Sequence, residues 1–219
     1  MKKLYTLLLV LGSVFTLNSC YESEISFLES AEDLGFTGSE EDIIQFLSKD
    51  AYNNLLALGV TVHTGSTPPF INGQYLMSPY VLASTNISGD YDIGFQFANN
   101  IVQISNQNNE DLSVNYYSYQ VDENGNVITQ EYGNESFITG TGSNFTVIIK
   151  TESSSTDSQG NYVNMIMGIA ISGTVQNGYI QNLQKAFIVI EESGDINGEF
   201  IDKGEGRLIV DGDGFSEML

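Results

Sequence analysis

One histidine, His63, and one cysteine, Cys20, are all the imidazole and thiol that this 219-residue chain contains. Hydrolysis of the Ser-His-Asp kind would have to run through His63, with Ser66 and Asp90 as nominal partners. No Gly-x-Ser-x-Gly elbow presents a serine for attack, and His63 falls in a connecting segment, so catalysis is not expected. A zinc centre needs several His or Cys ligands, which the chain lacks. Asp211-Gly212-Asp213-Gly214, with Glu217 beyond, supplies the first alternating oxygens of a calcium loop. Phe215 then takes the third ligand position, which makes this stretch an acidic tail. Glu191-Glu192 ends a strand pattern and is read as facing water. No metal and no cofactor are therefore expected.

Binding is better represented than catalysis. Met165, Met167, Ile169 and Ile171 alternate with Asn164, Gly168 and Ser172, which puts the first four on one face of a strand. Methionine adapts to apolar ligands of varied shape, so Met165, Met167 and Ile169 are the expected wall of a ligand site. Tyr117 and Tyr119 share a second face, while Tyr116 joins Leu112 and Val114 on the opposite one. If their face points inward, Tyr117 or Tyr119 would stand at the rim of that site. A barrel filled by its own side chains is the competing expectation.

The elements that must hold these residues are mostly strands. A chain with 12 Tyr, 12 Phe, 22 Gly and only three prolines has the composition of an all-β domain. Strand patterns run over 73–83, 91–104, 112–121, 127–132, 135–152, 162–175, 179–192 and 198–210. Asp122-Glu123-Asn124-Gly125-Asn126, Asp157-Ser158-Gln159-Gly160-Asn161 and Asn177-Gly178 supply hairpin turns between them. The expected fold is mainly β: an eight-stranded antiparallel up-and-down barrel with one N-terminal helix, a two-sheet sandwich being the alternative. That helix covers 39–58. Ser39 and Asp42 form a capping box, Ile44, Leu47, Ala51, Leu55 and Leu58 make one apolar face widened by Ile43 and Phe46, and Gly59 ends it.

Charge narrows the partners. With 28 acidic against 7 basic residues the formal net charge is −21, which excludes nucleic acid. The two lysines at the start, Lys2 and Lys3, precede an apolar run over 4–17 and then a small residue, the order of a secretory signal over 1–19. The acidic stretch 20–38 reads as a tether to the domain over 39–219.

Leu17-Asn18-Ser19-Cys20 resembles the lipobox of bacterial lipoproteins. The resemblance implies that Cys20 takes a diacylglyceryl thioether and an N-acyl group such as palmitate, and that the membrane is held through lipid. The run from Gly65 through Pro68-Pro69 and Gly73-Gln74-Tyr75 to Pro79, after a short helix, is similar to a group of small Bacteroidetes lipoproteins of unassigned function. Gly73-x-Tyr75 also resembles the Gly-x-Trp that opens strand one of lipocalins, with Tyr for Trp. These resemblances imply a lipocalin-like barrel anchored at the outer membrane, on its periplasmic face or the cell surface. The expected function is a binding module for a small apolar or amphiphilic ligand, with a structural or interaction lipoprotein as the alternative.

Overall fold

The computed structural model of the protein describes residues 35–133 and 135–219. The signal segment, Cys20 and all of the tether before Gly35 lie outside the described residues. At the tether's end Phe36 is buried and packs on Phe137.

The expected helix is two. Helix α1 (Glu40–Leu47) opens on the Ser39–Asp42 capping box, with three acidic residues in its first turn. Helix α2 (Lys49–Leu58) ends at Gly59 in the left-handed region. Ser48 separates them at φ 88°, ψ 152°, closing α1 with its N–H and capping α2 with its hydroxyl, which accepts from the Ala51 N–H. Apolar periodicity runs unbroken through Ser48, so no pattern announces the break. Ile43, Phe46 and Leu47 are the buried side of α1, and Ile44 is only half-buried. No helix of the described residues is long and apolar enough to cross a membrane.

Thirteen strands follow: β1 (Ser66–Thr67), β2 (Gly73–Met77), β3 (Tyr80–Thr85), β4 (Gln96–Phe97), β5 (Asn99–Asn108), β6 (Ser113–Val121) and β7 (Val127–Tyr132). Then come β8 (Glu135–Thr141), β9 (Asn144–Thr156), β10 (Tyr162–Gln176), β11 (Tyr179–Ser193), β12 (Gly206–Asp211) and β13 (Phe215–Met218). The pattern over 135–152 divides into β8 and β9 because Gly142 and Ser143 turn the chain between them, without an Asn-Gly or Asp-Gly signal. The expected strand over 198–210 begins only at Gly206. The acidic tail contains β13, which pairs with β2 and β11.

Pairing follows the path β10-β9-β8-β6-β5-β2-β13-β11, and β11 pairs again with β10, so the antiparallel sheet rings into a partial barrel. Two seams are thin. Strand β6 meets β8 only at Ser113↔Phe137, and β13 meets β2 at Glu217↔Leu76 and Met218↔Tyr75. The interior is packed by Phe145, Val147, Ile149, Ile169, Ile171 and Ile180 among others. The next residues along the same strands face outward, and Phe137, Ile148, Ala170, Ala186, Ile188 and Leu208 receive Phe46, Leu47 and Leu55. This alternation buries both faces of β8–β12, which explains the near-continuous apolar runs there.

Three glycines clamp the helix entry to the sheet. The Gly65 N–H donates to Gly38 O at 2.8 Å and the Gly140 N–H to Gly65 O at 2.9 Å. The Thr139 hydroxyl donates to both carbonyls, at 2.8 and 3.0 Å. All three glycines have positive φ, and a Cβ on Gly65 would lie 2.1 Å from Thr141 Oγ1. Only glycine fits such a stack.

Candidate functional site

At one end of the ring the apolar interior gives way to charge. Strand β11 sends Leu183, Lys185 and Phe187 inward, while Ala186 and Ile188 lie under the helices. Lys185 Nζ is 2.7 Å from Glu131 Oε1 of β7, 3.4 Å from the Ser118 hydroxyl, and 5.7 Å from the centre of the Tyr116 ring. The Tyr116 hydroxyl donates to the same Glu131 carboxylate. Ser118 donates to Asn100 Oδ1 at 2.9 Å. Side-chain exposure is 8% for Lys185 and 23% for Glu131, so the pair sits in a partly dry setting.

Burial alone would push Lys185 down, but the Glu131 carboxylate beside it outweighs this and holds the ammonium well above its ordinary range. Burial and then the Glu131 charge push the Tyr116 hydroxyl far up, so it stays a neutral donor. Lys185 is thus a fixed cation and has no free amine for nucleophilic chemistry.

A second cation stands on β12. Arg207 holds Asp90 with Nε to Oδ2 at 2.8 Å and Nη2 to Oδ1 at 2.6 Å, and its guanidinium lies 5.6 Å from the Phe97 ring centre and 5.7 Å from that of Tyr91. The Thr85 hydroxyl donates to Asp90 Oδ2 at 2.6 Å. The two Arg207 bonds hold the Asp90 carboxyl well below the usual carboxylate range, against its burial and with help from Thr85.

Lys185 and Arg207 line one cavity of about 230 Å³. Tyr80, Phe97, Phe187 and Ile209 make its apolar walls, and it reaches the surface at Thr129 and Gln130. Arg207 also lines a neighbouring cavity of about 520 Å³, with Ile87, Asp90, Met165 and Phe200. The smaller cavity thus sets a charged end against an apolar wall.

The residues expected at the ligand site are spread out. Ile169 lies in the packed interior. Met165 borders the outer cavity, and Met167 is half-buried between them, beside a register shift in the β10–β11 pairing. Tyr116 is the interior tyrosine of β6. Tyr117 and Tyr119 lie on the opposite face, stacked on each other at 5.3 Å, with Tyr132 on Tyr117 at 4.6 Å, so the condition placing them at an interior rim is not met.

His63 and Asp211 do share a groove, about 600 Å³, with Ser172, Asn182 and Gln184 on the outside of the sheet. Burial pushes the His63 imidazole down. Neither nominal triad partner lines this groove, and Asp90 is held by Arg207. Asp211 accepts from the Ser78 N–H at 3.2 Å and from the Ser216 hydroxyl, so its carboxylate ties strands together. Among the described residues no group of three or more His, Cys, Asp or Glu could hold a metal.

Lys185, Glu131 and Arg207 escaped the sequence reading. The available signal was parity, since Lys185 sits two residues from Leu183 and from Phe187, in a chain with few cations. No family model, no curated protein and no solved structure matches the chain.

Proposed function

We propose that the chain is a lipid-anchored outer-membrane lipoprotein, acylated at Cys20, whose domain is a non-catalytic binding module for a small apolar or amphiphilic ligand. We read that domain as an eight-stranded, lipocalin-like up-and-down barrel. Strands β2 and β3 both run antiparallel to β12–β13, and β7 and β8 both pair with β6, which reduces the thirteen strands to eight successive runs. Strand β4 pairs with β3 and β1 with β8, outside those runs.

The observation that carries the binding reading is the interior cavity with aromatic and aliphatic walls and a charged end. Ligand sites have this make-up, an apolar lining with few placed polar groups, and 230 Å³, below the ~300–1,000 Å³ of pockets for drug-sized ligands, suits a smaller molecule. Its rim at Thr129 and Gln130 is exposed, so a ligand has a way in.

Native mass spectrometry of the full chain from its own host tests the reading. A bound mass removed by organic extraction supports it, and an empty protein leaves the structural or interaction role. Membrane fractionation of Cys20→Ala tests the anchor: release into the soluble fraction is expected, and retention would overturn the lipidation.

A further inference from the structure

We infer that the ligand of the interior cavity is an anionic amphiphile, a small monocarboxylate whose head lies between Lys185 and Arg207 and whose apolar body rests on Tyr80, Phe97, Phe187 and Ile209. This rests on the binding-module reading. The placement of the few basic residues and their unspent donors carries it. The chain has 28 acidic and 7 basic residues, and two of those seven lie at 2 and 3, so five belong to the described part. Two of the five, Lys185 and Arg207, line the same cavity, and Glu131 is the one acidic residue in its lining. Asp90, which offsets Arg207, lines the neighbouring cavity instead. Each of the two cations is paired with one carboxylate, and together they bring two of the five basic residues of a strongly acidic chain to one cavity.

Donor geometry agrees. Arg207 spends Nε and Nη2 on Asp90, so Nη1 takes no part in that bidentate pair. Lys185 has three N–H donors and directs them at Glu131 and Ser118, which leaves a third. A carboxylate could accept from both, and hydrogen bonds to ionised groups are roughly twice as strong as neutral ones. A cationic ligand would meet two fixed cations, and a neutral one would forgo the charge-assisted bonds. Size sets the body: at about 30 Å³ of liquid volume per water, 230 Å³ holds roughly eight waters, the bulk of a chain of about eight to ten heavy atoms.

Calorimetric titration of the full chain with octanoate and with octanamide, its neutral isostere, is the test. Octanoate should bind about tenfold more tightly or better, a difference of about 1.4 kcal/mol. Lys185→Met combined with Glu131→Gln removes the ion pair together, so that no lone charge is left buried. That variant loses the Lys185 donor and keeps Arg207, so it should cut the preference for octanoate severalfold while octanamide binding stays. Thr129→Trp, at the exposed rim, should weaken both. Equal binding of the two probes, with both still blocked by Thr129→Trp, would overturn the anionic ligand and leave the binding module standing. Binding of neither probe, with no bound mass in the protein from its host, would remove both readings.

Discussion

Lys185 and Glu131 face each other at 2.7 Å across the interior of the ring, from strands β11 and β7 that are not paired with one another. The contact exists only because the sheet curls round on itself. It joins the two sides of the barrel at the end where apolar packing stops, and the Tyr116 hydroxyl completes it.

Removing one member of a buried ion pair leaves the other uncompensated, whereas removing both is often nearly neutral. Lys185→Met alone should therefore destabilise by about 3 kcal/mol. Lys185→Met with Glu131→Gln should cost clearly less, although it deletes more native contacts. Urea unfolding of the two variants decides it; a double variant as unstable as the single would mean that the pair contributes net stability by itself.

The helix pair docks through Leu47 onto Gly168 of β10. Leu47 is 1% exposed, and a Cβ built on Gly168 would lie 3.0 Å from Leu47 Cδ2 and 3.0 Å from Ile190 Cδ1. Leu47→Ala should cost about 2–5 kcal/mol. Gly168→Ala crowds the same spot, so its penalty should shrink once Leu47 is alanine. Additive effects in a double-mutant cycle would show that the two residues do not share this contact.

Ser48 holds φ 88° and ψ 152°, a region that essentially only glycine occupies without strain. Its hydroxyl nevertheless caps α2 at Ala51. Glycine loses only a few tenths of a kcal/mol as an N-cap, while the strain relieved is about 1–3 kcal/mol. Ser48→Gly should thus stabilise the protein by about 1 kcal/mol, read as a raised urea midpoint. A loss of stability would mean that the cap outweighs the backbone strain.

Acid should weaken the Asp90–Arg207 link. Asp90 in the folded protein is held below its ordinary range, so the unfolded chain takes up that proton first as pH falls. Its stabilisation is complete above about pH 5 and fades below it as the unfolded carboxyl takes up its proton. Asp90→Asn should unfold at lower urea than the parent at pH 7, with the gap narrowing at pH 3. A gap of the same size at both values would show that the carboxylate's charge is not what stabilises.

The sequence alone determined the local features. Ser39 and Asp42 are three apart, and the capping box follows from that spacing. Asp122 and Asp157 stand four residues before Asn126 and Asn161, and each aspartate accepts from that asparagine's N–H in the turn it closes. Alternation along Phe145, Val147 and Ile149 named an interior face because side chains on a strand repeat every two residues. Tertiary structure decided what periodicity cannot carry. The break at Ser48 lies inside an unbroken apolar pattern and answers to the surface on which the helices pack. The turn at Gly142–Ser143 is set by β8 and β9 pairing with each other. Which inward residues meet across the ring depends on register and closure, so Lys185, Glu131 and Arg207 became a site only when the sheet came round to bring β11, β7 and β12 to one cavity.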